Sequence, residues 1–127
     1  MDSSQSQASA PDLAELLSFW QPIVRLADWE ISATYVRHLD RTGWCDLQVD
    51  YKRARIRMMH PIDWTSSEPY DVEAHFLHEL CHPHFAAFKI DNDSPMHLHE
   101  EQAVTSFARA LLALRRMAPA AIRDPTR

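Results

Sequence analysis

The five residues His78-Glu79-Leu80-Cys81-His82 spell H-E-x-x-H. On a helix, positions four apart stand one above the other on the same face. Two imidazoles at that spacing point at one metal ion. Glu79 lies at the flank of that face, where its carboxylate reaches a water on the metal without being a ligand. Histidine is abundant, at 8 of 127 residues. A shuffled chain of this composition carries the pattern in roughly a few per cent of cases, so its neighbours decide its weight.

Working outward, Pro61 and Pro69 with Ser66 and Ser67 between them make a loop before the motif. Asp71 is placed to cap a helix, and Glu73 suits the positive end of its dipole. Val72, Phe76, Leu77, Leu80 and Cys81 read as packing residues of that helix. His75 reads as an accessory or solvated histidine. Pro83 removes one helical donor and disfavours helical geometry at His82, which predicts a kink or changed turn before helix resumes towards Phe88.

Downstream, Asp91-Asn92-Asp93-Ser94-Pro95 reads as a turn, and a last helix is expected from about His97 to Met117. Its buried stripe is read as Val104, Phe107, Ala108, Leu111 and Leu114, and Pro119 ends it. A catalytic zinc takes three protein ligands and one water. Beyond His78 and His82, the available donors are His84, His97, His99, Glu100 and Glu101. His84, two residues after His82, points elsewhere on a continuous helix. Glu100 and Glu101 lie on the first turn of the last helix, where acidic decoration is also ordinary.

Upstream, three alternations of period two cover Trp29, Ile31, Ala33 and Tyr35, then Cys45, Leu47, Val49 and Tyr51, then Ala54, Ile56 and Met58. Asp40-Arg41-Thr42-Gly43 reads as a turn. Short separations suggest a three-stranded antiparallel meander. Arg53, Arg55 and Arg57 form the other face of the third strand, a solvated row that discourages edge pairing or favours acidic partners. Before the strands, Asp12 and Glu15 resemble a capping box, and Leu13, Leu16, Leu17 and Trp20 follow helical spacing. Pro22 kinks or restarts that helix, with Val24 and Ala27 continuing its stripe. Residues 1–10 read as a disordered tail, 11–118 as one domain and 119–127 as a loose tail.

Composition narrows the function classes. A net charge of −5 and a pI near 5.8 argue against nucleic-acid binding through bulk electrostatics. The single glycine, Gly43, excludes Walker loops and Rossmann turns. Cys45 and Cys81 read as buried free thiols in a reducing compartment. No apolar run approaches a membrane span and no signal peptide is legible, so a soluble, cytoplasmic protein is expected.

H-E-x-x-H is the metalloprotease signature, in which two histidines hold zinc and the glutamate is the base. With Glu100-Glu101-Gln102-Ala103-Val104 and Phe107-Ala108-Arg109-Ala110-Leu111-Leu112 after it, the chain resembles the small gluzincin-like domains of phage and prophage proteins. These are similar in plan to minimal zinc peptidases of the ImmA/IrrE type. The resemblance covers most of the chain from Trp29 onward. It implies an α+β zincin-like fold, His78 and His82 as zinc ligands, Glu79 as general base and a glutamate of the last helix as third ligand. Aligning Phe107 with the aromatic after the family's glutamate favours Glu101, while Glu100 is better centred on the expected stripe. Phe85 and Phe88 stand where a metzincin has its glycine and third histidine. The expected function is a zinc metallopeptidase acting on a peptide or protein, with strand 54–59 pairing the substrate. His60, Tyr70 and His97 are candidate oxyanion donors. The alternative is a non-catalytic, zinc-stabilised interaction module, marked by a fourth protein ligand such as His84, His97 or His99.

Overall fold

The computed structural model describes residues 10–88, 91 and 93–117. The expected tails lie outside the described residues except for Ala10. The order is helix α1 (Leu13–Ile23), strands β1 (Glu30–Val36), β2 (Gly43–Gln48) and β3 (Arg53–Met59), then helices α2 (Val72–Cys81) and α3 (Met96–Met117). This is the α+β plan read from the periodicities. No helix among the described residues is long and apolar enough to cross a membrane.

The sheet differs from the expected meander in its pairing. Its order is β1-β3-β2, with β3 parallel to β1 and antiparallel to β2. The reason lies in β3 itself. Ala54, Ile56 and Met58 are buried, and a strand this apolar on one face is best served at the centre, with both backbone edges paired. The segment from β1 to β2 needs to cross only one intervening strand, about 10 Å, which six residues reach easily. Two readings fall as a result. The arginine row does not guard an edge: Arg53 pairs with Glu30 at 3.2 Å and Arg57 with Asp46 at 2.8 Å, across to both neighbours. Nor can β3 accept a substrate strand, because both its edges are occupied.

Local punctuation also departs from the reading in places. Asp12 caps α1, its carboxylate accepting from the Ala14 and Glu15 amides. Pro22 sits in the last turn, and α1 ends at Ile23. Leu26 is then buried where Ala27 was expected, because Arg25 takes a left-handed φ of 65° and redirects the chain. The second alternation stops at Gln48, and Val49–Tyr51 form a 3-10 turn with Val49 and Tyr51 exposed. On α3 the buried stripe is Val104, Ala108 and Leu112, whereas Phe107 and Leu114 are exposed.

Trp20, Ile56, Met58, Phe76, Leu77, Leu80 and Val104 are the large side chains at the centre of the core. Burial of such side chains contributes roughly 1.5–3 kcal/mol each before conformational entropy is charged. Polar groups set the register of the helices around it. Glu73, on the first turn of α2, accepts from the Trp20 indole at 2.8 Å and from Arg115 of α3. Arg116 forks onto Asp71 at 2.7 and 2.9 Å. The last turn of α3 therefore meets the first turn of α2, and the two helices run antiparallel. Acids at an N-terminus and cations at a C-terminus also suit both helix dipoles. We predict that Glu73→Ala, which strips the buried Trp20 N–H of its acceptor, lowers stability by about 1–3 kcal/mol in urea unfolding. A change below about 0.5 kcal/mol would contradict the role given to this carboxylate.

Candidate metal centre

Asp71 caps α2 through the Ala74 amide at 3.2 Å, and the helix runs without interruption to Cys81. His82 keeps right-handed helical angles, φ −55° and ψ −39°, despite Pro83 after it. The break expected here takes the form of a changed turn: the α-helix ends at Cys81 and the chain tightens into a 3-10 turn from His82 to Phe88. Proline cannot donate to an i−4 carbonyl, and a tighter turn lets later amides find other partners. The spacing of the two histidines survives, with ring centroids 5.0 Å apart.

His78, Glu79 and His82 each bring one donor atom within 4.8 Å of the others, a group able to hold a metal ion. Glu101 comes closer still to the imidazoles. Its Oε2 lies 2.9 Å from His78 Nε2, and its Oε1 lies 3.4 Å from His82 Nε2. Glu79 Oε1 stands 3.9 Å from His82 Nε2. Donors at about 2.0–2.1 Å from a tetrahedral zinc are separated by about 3.4 Å along the tetrahedron's edge. Glu101 thus approaches both imidazoles, while Glu79 completes the His-Glu-His group with His78 and His82.

Glu101 reaches the site because it lies one turn before Val104 on the buried face of α3. Thr105, four residues after Glu101, places its hydroxyl 3.2 Å from His78 Nδ1. A metal on Nε2 leaves the ring proton on Nδ1, which then donates to the Thr105 oxygen and holds the imidazole in that tautomer. Glu100 turns to the side and accepts from His97 Nδ1 at 3.3 Å.

These residues open onto a cleft of about 630 Å³ lined by Gly43, Trp44, Cys45 and Leu47 of β2, by Arg41, and by His97 and Glu100. Burial and the Glu101 carboxylate push Glu79 up to about 7, with Arg41 opposing. Burial lowers His82, which favours the neutral, ligating imidazole, although the Glu101 charge works the other way. Cys45 in the cleft wall is a thiol raised to about 12 by burial and by the Glu79 and Asp46 carboxylates.

The other candidates are placed elsewhere. His84 Nε2 meets the Val24 carbonyl at 2.5 Å, on the far side of the 3-10 turn. His99 is exposed. His75 packs on the Trp64 and Tyr70 rings. Tyr70 donates to the Met59 carbonyl and His60 accepts from the Ile62 amide, so neither faces the cleft. Arg41, Gly43 and Thr105 were not among the expected site residues. Thr105 had a signal, a hydroxyl one turn past the candidate carboxylate on an otherwise apolar stripe. Comparison with protein-family models, curated proteins and solved structures gives no match.

We predict that His78→Ala and His82→Ala each abolish stoichiometric divalent metal, read by elemental analysis of purified protein. Glu101→Ala should weaken binding and Glu100→Ala should not. Removing the Thr105 hydroxyl in Thr105→Val should weaken metal affinity about 10–100-fold. The raised acid also makes a linkage statement. In metal-free protein, ionising Glu79 opposes folding, so this penalty is absent below about pH 4.5 and full above about pH 7. Glu79→Gln should therefore raise the melting temperature of the metal-free protein at pH 8 and leave it nearly unchanged at pH 4; the reverse order would contradict the shift.

Proposed function

We propose that the chain is a zinc-dependent metallopeptidase of the gluzincin-like type, with His78, His82 and Glu101 as ligands and Glu79 as general base. The observation that carries this reading is the convergence of two imidazoles and two carboxylates at one end of an open cleft. Zinc is favoured by the two-imidazole, one-carboxylate donor set. Bound there, it supplies Lewis acidity, acidifying a water and polarising a carbonyl.

The chain's own residues supply the rest. Glu79 is buried and close to His82, and in the metal-free protein burial and Glu101 raise it to about 7, which makes it a stronger base than an ordinary carboxylate; it takes a proton from the attacking water. It then passes that proton to the departing amine. The cleft runs along β2, whose outer edge pairs with no strand among the described residues. An extended peptide can add to that edge by main-chain hydrogen bonds and so lie across the histidines. This moves the substrate strand from β3, where it was expected, to β2. Among the oxyanion candidates only His97 lines the cleft, and Arg41 joins it as a cation on the same wall. Of the three possible fourth ligands, His84 and His99 lie away from the imidazoles and His97 lines the cleft, so a closed structural site would have to recruit His97.

The test is Glu79→Gln, which keeps the size of the side chain and removes its ability to accept a proton. The variant should retain about one zinc per chain and lose hydrolysis by orders of magnitude. The substrate screen uses unfolded proteins and mixed peptides, with and without a chelator. Chelator-sensitive cleavage that survives in Glu79→Gln would exclude the proposed base.

A further inference from the structure

The chain has one glycine, Gly43, and it is not used for a turn. Three described residues take a left-handed φ, where glycine is ordinarily preferred: Arg25 at 65°, His38 at 61° and Lys52 at 50°. Gly43 is not among them; it is the first residue of β2, paired with Met58 in the ladder. Any L-residue can take that backbone, so conformational freedom does not explain the glycine.

Its surroundings do. A Cβ on Gly43 would stand 3.0 Å from both Cγ and Oε2 of Glu79 and 3.3 Å from Cδ. All three nearest atoms belong to one side chain, the one next to the metal-binding histidines. Glu79 lies flat on the bare Cα of β2, with Oε2 on the strand and Oε1 turned to His82 at 3.9 Å. The strand cannot easily withdraw to admit a methyl group. Gly43 is held in the ladder to β3, and the Thr42 carbonyl accepts from the Met59 amide at 2.8 Å. The carboxylate is the part that must move.

We propose that Gly43 is a positioning residue: its missing side chain is the seat that sets the distance between the Glu79 carboxylate and the metal-binding imidazoles. This rests on the reading of Glu79 as the base, whereas the contact between Gly43 and Glu79 does not. It has an unusual consequence. A methyl group at residue 43 displaces the end of a flexible side chain, so it disturbs the base far more than the fold.

Two measurements test this. The first is a double-mutant cycle on the urea midpoint, with Gly43→Ala made in wild type and in Glu79→Ala. With residue 79 truncated, Gly43→Ala should raise the midpoint, because alanine has fewer unfolded conformations to lose and nothing to collide with. With Glu79 present, that gain should shrink or reverse. Equal shifts in the two backgrounds would overturn the proposal, and so would failure to fold in both, which would put the obstruction elsewhere. The second measurement is hydrolysis by zinc-loaded Gly43→Ala. Zinc content should stay at one per chain, and kcat should fall at least about tenfold with KM unchanged, the pattern of an interaction made in the transition state. An unchanged kcat, or a loss confined to KM, would overturn the positioning role. If wild type hydrolyses nothing, the peptidase reading fails, and the cycle still decides whether Gly43 seats Glu79.

Discussion

The antiparallel register of α2 and α3 is the constraint on which the rest depends. At one end Glu73 and Asp71 engage Arg115 and Arg116. At the other end Glu101 and Thr105 meet His78, and Glu101 also reaches His82. Between them Phe76, Leu80, Val104 and Ala108 belong to one buried cluster. A helix advances 1.5 Å per residue, so a slip of α3 by one turn would carry Glu101 about 5 Å from the imidazoles. The ion pairs at the far end therefore matter less for the energy they add than for the slip they oppose. Exposed pairs of this kind contribute little individually, whereas Glu73 is mostly enclosed and also satisfies a buried indole.

The sheet completes the site from the other side. β3 is buried at the centre and carries no site residue, while β2 is an edge strand that serves as wall, seat for Glu79 and open margin of the cleft. Solvent reaches the imidazoles along that margin. The same burial that raises Glu79 lowers His82, so the carboxyl group holds its proton to higher pH and the imidazole sheds its proton more readily. A cation bound between them would relieve the repulsion between the Glu79 and Glu101 carboxylates.

Much of this was legible in the residues. Strict alternation announced β3, and Asp71 with five apolar positions announced α2 and its buried face. The i, i+4 histidines needed only that helix to converge. What periodicity left undecided was which of two neighbouring apolar arcs on α3 faces inward. Phe107 and Leu114 lie on the outward side and Val104, Ala108 and Leu112 on the buried side, with Leu111 partly buried against the core, and only packing sets that boundary. That choice also favours Glu101 over Glu100 at the imidazoles, although the apolar stripe had favoured Glu100. Strand order was hidden for a different reason: alternation shows which face is buried but not which neighbour pairs. The changed turn expected at Pro83 is present, as the switch from α-helix to a 3-10 turn at His82.

The most direct measurement of the central claim is a crystal structure of the zinc-loaded protein, with the ion located by its anomalous signal. The account predicts zinc bonded to Nε2 of His78, Nε2 of His82 and a carboxylate oxygen of Glu101, with the fourth position open to the cleft and Glu79 beside it but unbonded. Zinc held by Glu79 in place of Glu101, or closed by a fourth protein ligand, would contradict it.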